Sequence, residues 1–381
     1  MYVGQITLKN WKNFRNIEVP LGWRAFLIGP NASGKSNFLD AFRFLKEVAV
    51  DGLSKAVENR GGISAIRSLS ARGDSHVMIQ VKLYDKEKVQ WIYRLSIKQN
   101  RQKSPIVVEE RVWQGNTREV LSRPSSDDEE DPARLTQTAL EQVSANKDFR
   151  PVADFFKSIS YHHLLPQVVR DPGGFSPHPV QNDPYGRDFL QRMWKTPPKT
   201  RTSRLNKITE VLRVAVPQLE KLFLEMDPGT GIVHLIGRYT HWRSQGASQN
   251  ERQFSDGTLR LLGLLWAVFE GTGPLLLEEP EISLHPEIIR RLPGMFHRIV
   301  HSSKQIRQIL ISTHSEAILQ DEGIAPEEVL VLEPGPNGTE INLPEDGEIT
   351  AIRRGKLTPA DIFIPKVAPK HPEQLELVWK Q

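Results

Sequence analysis

The segment Gly29-Pro30-Asn31-Ala32-Ser33-Gly34-Lys35-Ser36 matches GxxxxGK[ST], and no other feature of the chain narrows its possible folds so far. The pattern works only between a buried strand and a helix. Both flanks comply: Ala25-Phe26-Leu27-Ile28 reads as a short buried strand, and Asn37-Phe38-Leu39-Asp40-Ala41-Phe42-Arg43-Phe44-Leu45 reads as the helix that follows. A strand that turns through glycine into a helix start aims backbone N–H groups and the positive dipole end at an anion. In that setting Lys35 reaches the β- and γ-phosphates of a nucleotide and the Ser36 hydroxyl holds Mg²⁺.

Three later segments say which kind of nucleotide machine this is. Phe254-Ser255-Asp256-Gly257-Thr258-Leu259-Arg260 precedes a long apolar run from Leu261 to Phe269 and reads as a second helix start suited to an anion, although an ordinary N-cap explains it equally. Pro274-Leu275-Leu276-Leu277-Glu278-Glu279-Pro280-Glu281 is an apolar strand ending in carboxylates, a place from which acidic groups bind Mg²⁺ and polarise water. Gln308-Ile309-Leu310-Ile311-Ser312-Thr313-His314-Ser315 is a buried strand ending in a histidine.

Taken together these segments resemble the ABC-type ATPase head, and more narrowly the RecF/SMC/OLD group of DNA-linked ATPases. The opening stretch Ile6-Thr7-Leu8-Lys9-Asn10-Trp11-Lys12-Asn13-Phe14-Arg15 looks like the first strand and turn of that group. Asn31 and Asn37 match its phosphate loop, with Ala32 where a Gly is common. Phe254 to Thr258 resembles its SDGT signature, Glu278 to Pro286 its EEPExxLHP block, and Thr313-His314-Ser315 its THS switch. The resemblance runs from residue 1 to about 320. It implies an α/β fold: a P-loop NTPase of ABC-ATPase type, with a mixed central sheet, flanking helices and an antiparallel β-meander.

What the resemblance implies for the site is a composite of two chains. ATP lies on Gly29, Pro30, Asn31, Ala32, Ser33, Gly34, Lys35, Ser36 and Asn37 of one head. The Ser255 hydroxyl and the helix start at Gly257 of a second head cap the γ-phosphate. Ser36 and Glu278 hold Mg²⁺, Glu279 polarises the attacking water, and His314 contacts the γ-phosphate and that water. Glu278 departs from the family, which more often has Asp at the metal position. Gln167 is the expected Q-loop glutamine. Lys12 and Arg15 read equally as phosphate or DNA contacts and as solvated surface. The expected partners are a second copy of the chain and a separate effector such as a nuclease or toxin, with DNA as a further candidate. A slow nucleotide-gated sensor or scaffold is the alternative, and a transporter ATPase the less favoured third reading.

Composition adds bounds. With 381 residues, 38% hydrophobic content and a net charge of +4, the chain is long enough for a sizeable core and only mildly basic, which permits nucleic-acid contact without requiring it. No apolar run approaches the roughly 18 residues of a transmembrane helix, and no membrane partner is expected. No secretory signal opens the chain, and it has no cysteine. The expected location is cytoplasmic.

Along the chain we expect an ATPase head over 1–345 and a tail over 346–381. Within the head, 1–50 and 250–345 form the nucleotide core, 75–121 alternate in period 2 as an antiparallel meander, and 135–240 form a helical insert. Residues 122–134 are polar and acidic and read as a solvated loop, 171–187 as a long loop, and 240–253 as polar loop. His162 and His163, on one strand, point to opposite faces and read as structural. Between phosphate loop and signature there are no sustained heptads, so no coiled-coil arm is expected. The stretch after His314 is short, and no nuclease domain is expected.

Overall fold

A computed structural model describes residues 1–71, 73, 76–175, 183–240, 247–302, 307–355 and 357–369. The chain divides into two compact units: one comprises 1–160, 272–276 and 306–381, the other 161–271 and 277–305.

In chain order the strands of the first half are β1 (Tyr2–Trp11), β2 (Phe14–Pro20), β3 (Arg24–Ile28), β4 (Val77–Asp85), β5 (Lys88–Gln99), β6 (Pro105–Gln114), β7 (Arg118–Arg123) and β8 (Ser160–His162). They are followed by β9 (Leu219–Met226), β10 (Val233–Tyr239), β11 (Ala247–Asn250), β12 (Leu275–Glu278), β13 (Ile309–Ser312), β14 (Val329–Gly335) and β15 (Gly338–Asn342). Three sheets result, with orders β2-β1-β4-β5-β6-β7, β11-β10-β9 and β15-β14-β3-β13-β12-β8.

The first unit contains the six-stranded meander sheet, whose pairings are antiparallel from β2 to β7. The expected meander over 75–121 is present, and the opening strands β1 and β2 extend it. Alternation explains the sheet: Val77, Ile79, Val81 and Leu83 are buried, and the residues between them are half-exposed. In the nucleotide sheet β3 lies between β13 and β14, parallel to both, and β15 pairs antiparallel with β14. Such a mixed sheet buries its parallel strands on both faces, which is why β3 and β13 read as unbroken apolar runs. The chain passes from one unit to the other within β8 and within β12.

The helix Lys35–Asp51 buries Phe38, Phe42, Leu45 and Ala49, at spacings of three and four, together with Leu39 and Phe44. Trp11 meets Phe44 at 5.3 Å and Phe14 meets Phe38 at 6.2 Å between ring centroids. Each such side chain contributes about 1.5–3 kcal/mol by leaving water. The helix is thereby fixed to the β1–β2 hairpin as well as to the strand it follows.

Several expectations need correction. Residues 122–134 are not simply a solvated loop: Ser126–Glu130 is a short helix, Pro132–Thr136 a 3-10 turn, and Asp128 is buried. Arg123, itself buried, bonds both Asp128 oxygens and also reaches Glu110 at 3.1 Å. Glu110 further accepts from Tyr93 and from the backbone N–H groups of Ala139 and Leu140. Burial pushes the Glu110 carboxyl up, while the Arg123 hydrogen bond holds Asp128 down, to about 2. A buried pair that loses one member costs about 3–5 kcal/mol, so the acidic segment is pinned rather than free. The acidity that suggested solvation is what the buried guanidinium requires.

The other differences are local. Ala247–Asn250 pairs with β10 as β11, where a loop was expected, and residues 241–246 and 176–182 lie outside the described residues. The tail carries two helices, Asp346–Arg353 and Pro359–Val367, the second capped by Thr358. Between β12 and β13 lie two helices, Pro286–Ile289 and Leu292–Ser302. The second unit holds the β9–β11 sheet and the helices Phe189–Lys195, Pro198–Leu212 and Asp256–Phe269. No described helix is long and apolar enough to cross a membrane.

Candidate nucleotide site

In the first unit the phosphate loop leaves β3 and enters the helix that starts at Lys35. Gly34 precedes that helix at φ +100°, and a Cβ there would meet Asn13 Nδ2 at 2.0 Å, so both conformation and space demand glycine. The helix has no side-chain N-cap and no acidic residue in its first turn. Its first N–H groups and its dipole are therefore not answered by the chain's own carboxylates, as an anion-binding helix start requires.

Lys35 is buried, and its Nζ donates to the carbonyl oxygens of Gly29 and Pro30 at 2.9 and 3.2 Å. Asn31, Ala32 and Ser36 are exposed. Ala32 sits at φ +62°, a left-handed conformation that costs a non-glycine residue about 1–2 kcal/mol. The glycine common at this position in similar loops avoids that cost.

His314 stands at the corresponding end of the neighbouring strand. β13 runs parallel to β3 with Ser312 opposite Leu27, and Thr313 N–H donates to the Leu27 carbonyl at 3.0 Å. Loop and histidine therefore share the carboxyl edge of two adjacent parallel strands, the edge at which open α/β sheets bind ligands. Thr313 is buried and His314 is exposed.

Residues that sequence reasoning passed over complete this surface. Asn13 Nδ2 donates to the Ser33 carbonyl at 2.9 Å, and Asn13 Oδ1 accepts from Asn37 at 2.7 Å. Thr339 Oγ1 donates to the same Ser33 carbonyl at 2.8 Å. Trp11 Nε1 donates to the Asn37 carbonyl at 2.8 Å. The turn holding Asn13 was visible in the sequence, but its role in bracing the loop was not. Thr339 belongs to a hairpin with no motif of its own. Lys12 pairs with Asp40 at 2.7 Å, and Asp40 also takes a bidentate Arg60. Burial raises the Asp40 pKa, and the hydrogen bond and charge of Arg60, with Lys12, more than reverse it, so the carboxyl lies below its ordinary value. Arg15 is exposed. Beside the loop lies a cavity of about 690 Å³ lined by Lys12, Asn13, Ala32, Asn37, Arg67 and Thr339 among others.

The second unit gathers the carboxylates and the signature. Glu278 ends β12, and Glu279 follows at φ +44°. Arg260, on the signature helix Asp256–Phe269, donates to the Glu279 carbonyl at 3.4 Å. Its guanidinium is buried, and burial lowers its pKa. His163 Nδ1 lies 3.1 Å from the Glu278 carbonyl oxygen, a backbone contact. A Cβ on Gly257 would meet the Ser283 carbonyl at 2.7 Å, so the signature helix starts flush against the turn after the carboxylates. Ser255 is exposed, and its Oγ caps its own helix by accepting from Thr258 N–H at 3.2 Å. Gln167 lies in the first turn of a short helix, Pro166–Arg170, and donates to Asp256 at 3.2 Å, while Arg170 pairs with Asp256 at 2.6 Å. Arg170 carried no motif signal. Arg260 stood inside a quoted motif without a role.

The expected residues thus fall into two groups, the phosphate loop with His314 and the carboxylates with the signature. The sequence over residues 24–320 matches the family described as "AAA domain, putative AbiEii toxin, Type IV TA system". The chain belongs to this family. No curated protein sequence matches it significantly. Among solved structures, an SMC head bound to the C-winged helix domain of ScpA is similar with a TM-score of 0.57 at 14% identity, covering 92% of this chain and 99% of that one. An Smc head with an extended coiled coil from Pyrococcus furiosus, bound to the C-terminal domain of ScpA, gives 0.55 at 12%, covering 93% and 99%. An Smc head with a coiled coil and joint from Pyrococcus yayanosii gives 0.50 at 11%, covering 93% and 100%. This AAA-domain chain therefore has the fold of an ABC-type ATPase head of the RecF/SMC group: a P-loop α/β core with a meander sheet.

Proposed function

We propose that the protein binds and hydrolyses ATP, dimerises around it, and controls a separate effector. The observation that carries this reading is the shared strand edge in the first unit, where an uncapped helix start, Lys35 and His314 face one region. Such a region suits a triphosphate, and the adjoining cavity of about 690 Å³ has room for a nucleoside. Mg²⁺ is supported by the donor types. Among the described residues no cluster of three or more His, Cys, Asp or Glu could hold a metal, but Mg²⁺ in phosphoryl transfer needs only one or two protein oxygens and takes the rest from phosphate and water. Ser36 and Glu278 would supply them, and the ion would neutralise charge on the phosphates.

The chain's own groups would do the following. Lys35 would exchange its two carbonyl partners for phosphate oxygens. Glu279 would accept a proton from the attacking water, and Arg260 would hold the backbone that aims it. His314 would orient the same water or the γ-phosphate. Ser255 and the helix start at Gly257 would close the site from a second head, a reading that the exposure of Ser255 supports. Most of the acceleration would come from positioning and charge neutralisation.

The solved SMC heads with ScpA domains bound support a head that acts with or through other proteins. DNA maintenance or bacterial antiphage defence is the setting we favour, with DNA as a further partner and the cytoplasm as location. A slow nucleotide-gated sensor remains the second reading, favoured by Glu278 in place of the commoner Asp, since one extra methylene displaces the carboxylate.

Mixing two inactive variants tests the trans arrangement. Ser255→Arg and Lys35→Ala each abolish turnover alone. Mixed at equal concentration they form heterodimers with one intact site, and ATPase activity returns to at most about half of wild type, because each mixed dimer has one working site of two. No recovery at any mixing ratio would contradict the shared site.

A further inference from the structure

The whole chain's small net charge hides a local concentration. From Lys195 to Lys207 the sequence carries Lys195, Lys199, Arg201, Arg204 and Lys207 and no acidic residue. Other cations, among them Lys12, Arg24, Arg60, Arg94, Arg111 and Arg170, have carboxylate partners. These five have no ion pair among the described residues. Glu270, whose charge Arg204 feels, is held by Arg192 at 2.8 Å.

The cations are nevertheless positioned. Arg201 lies 4.4 Å from the Trp194 ring centroid and donates to the Trp194 carbonyl at 2.7 Å. Arg204 lies 5.4 Å from the Trp266 ring and Lys207 5.8 Å from the Phe269 ring. Three cations at successive helical turns are thus seated on three aromatic rings, each ring favouring one placement of the cation above it. Ordering long cationic side chains without giving them a carboxylate leaves an array ready for an external anion.

We infer that the exposed face of the helix Pro198–Leu212 is a docking surface for the phosphodiester backbone of nucleic acid, contacted without reading its sequence. Length and chemistry favour this partner. Lys199 to Lys207 spans about 12 Å along the helix, the axial rise of about three phosphates on one strand of a duplex. The exposed positions between the cations are Thr200, Thr202, Ser203 and Asn206, hydroxyl and amide groups that hydrogen-bond phosphate oxygens. A helix lying on a lipid surface would need apolar side chains on that face, but here Leu205, Ile208 and Leu212 point inward and are buried. The inference gives a surface to the DNA part of the proposed function and rests on that reading for nothing else.

The test is fluorescence anisotropy with a labelled duplex of about 30 base pairs, a single strand of equal length, and pull-down on phosphatidylserine vesicles, between about 50 and 200 mM salt. The wild-type protein binds duplex or single strand, more weakly as salt rises. Lys195→Gln/Lys199→Gln/Lys207→Gln, all at exposed lysines, binds at least about tenfold more weakly, and its slope of log K against log salt is shallower by about two to three. Arg101→Gln/Lys103→Gln, at the tip of the β5–β6 hairpin, loses similar charge and keeps wild-type binding. Equal binding by the triple variant, an equal loss in the hairpin control, vesicle binding in place of nucleic-acid binding, or no nucleic-acid binding at low salt would each overturn the inference. ATP affinity measured on the same proteins keeps the outcomes separate: it is unchanged in the triple variant, and a wild type that fails to bind ATP defeats the proposed function without touching this surface.

Discussion

Glu279→Gln keeps ATP affinity within about twofold of wild type and lowers steady-state turnover by about a hundredfold or more. A general base contributes about 10²–10⁴ to rate, and the amide keeps the shape of the carboxylate while losing its basicity. The backbone geometry makes this a clean experiment. Glu279 is held at φ +44° between the end of β12 and Pro280, with its backbone carbonyl bonded to Arg260. The glutamine therefore stands where the glutamate stood. Turnover equal to wild type would move the base to Glu278. A wild-type rate already as low as that of the variant would favour the sensor reading.

Lys35→Ala weakens ATP binding by about 2–5 kcal/mol, or roughly thirtyfold to several thousandfold. Lys35 is the buried cation of the phosphate loop, and its stem packs at the start of the Lys35–Asp51 helix. Truncation removes a charge-assisted contact to phosphate and also leaves the Gly29 and Pro30 carbonyls without their present donor. Alanine is a strong helix former, so the helix itself is not the casualty. Equilibrium titration with a fluorescent ATP analogue reads the change directly. An unchanged Kd would remove the phosphate loop from the account.

The elements most legible in the sequence were those whose local pattern and tertiary role agree. β3, the loop and its helix were readable because an apolar run, a glycine turn and 3.6-residue spacing all demand the same geometry. The meander was readable for the same reason: Val77, Ile79, Val81 and Leu83 alternate because one face is buried. What stayed hidden depends on distant partners. Asp128 looks like a solvated acid until Arg123 and Glu110 surround it, and nothing local reports that. Asn13 and Thr339 brace the same Ser33 carbonyl from opposite ends of the chain. The tail helices Asp346–Arg353 and Pro359–Val367 were masked by prolines and glycines, although Thr358 and Asp361 form a capping box that the sequence does show. Arg260 is the case nearest the chemistry. It was quoted in the signature, yet its contact with the Glu279 carbonyl exists only once the signature helix meets the turn after β12.

The central claim is that ATP joins two heads, and the most direct measurement is sedimentation velocity of Glu279→Gln with and without Mg²⁺ and ATP. The account predicts a monomer without nucleotide, a stable dimer with ATP, and a monomer again when Ser255→Arg is added to the same chain, because a bulky cation then occupies the place of the capping hydroxyl. A protein that binds ATP with full affinity and stays monomeric across the accessible concentration range would contradict it.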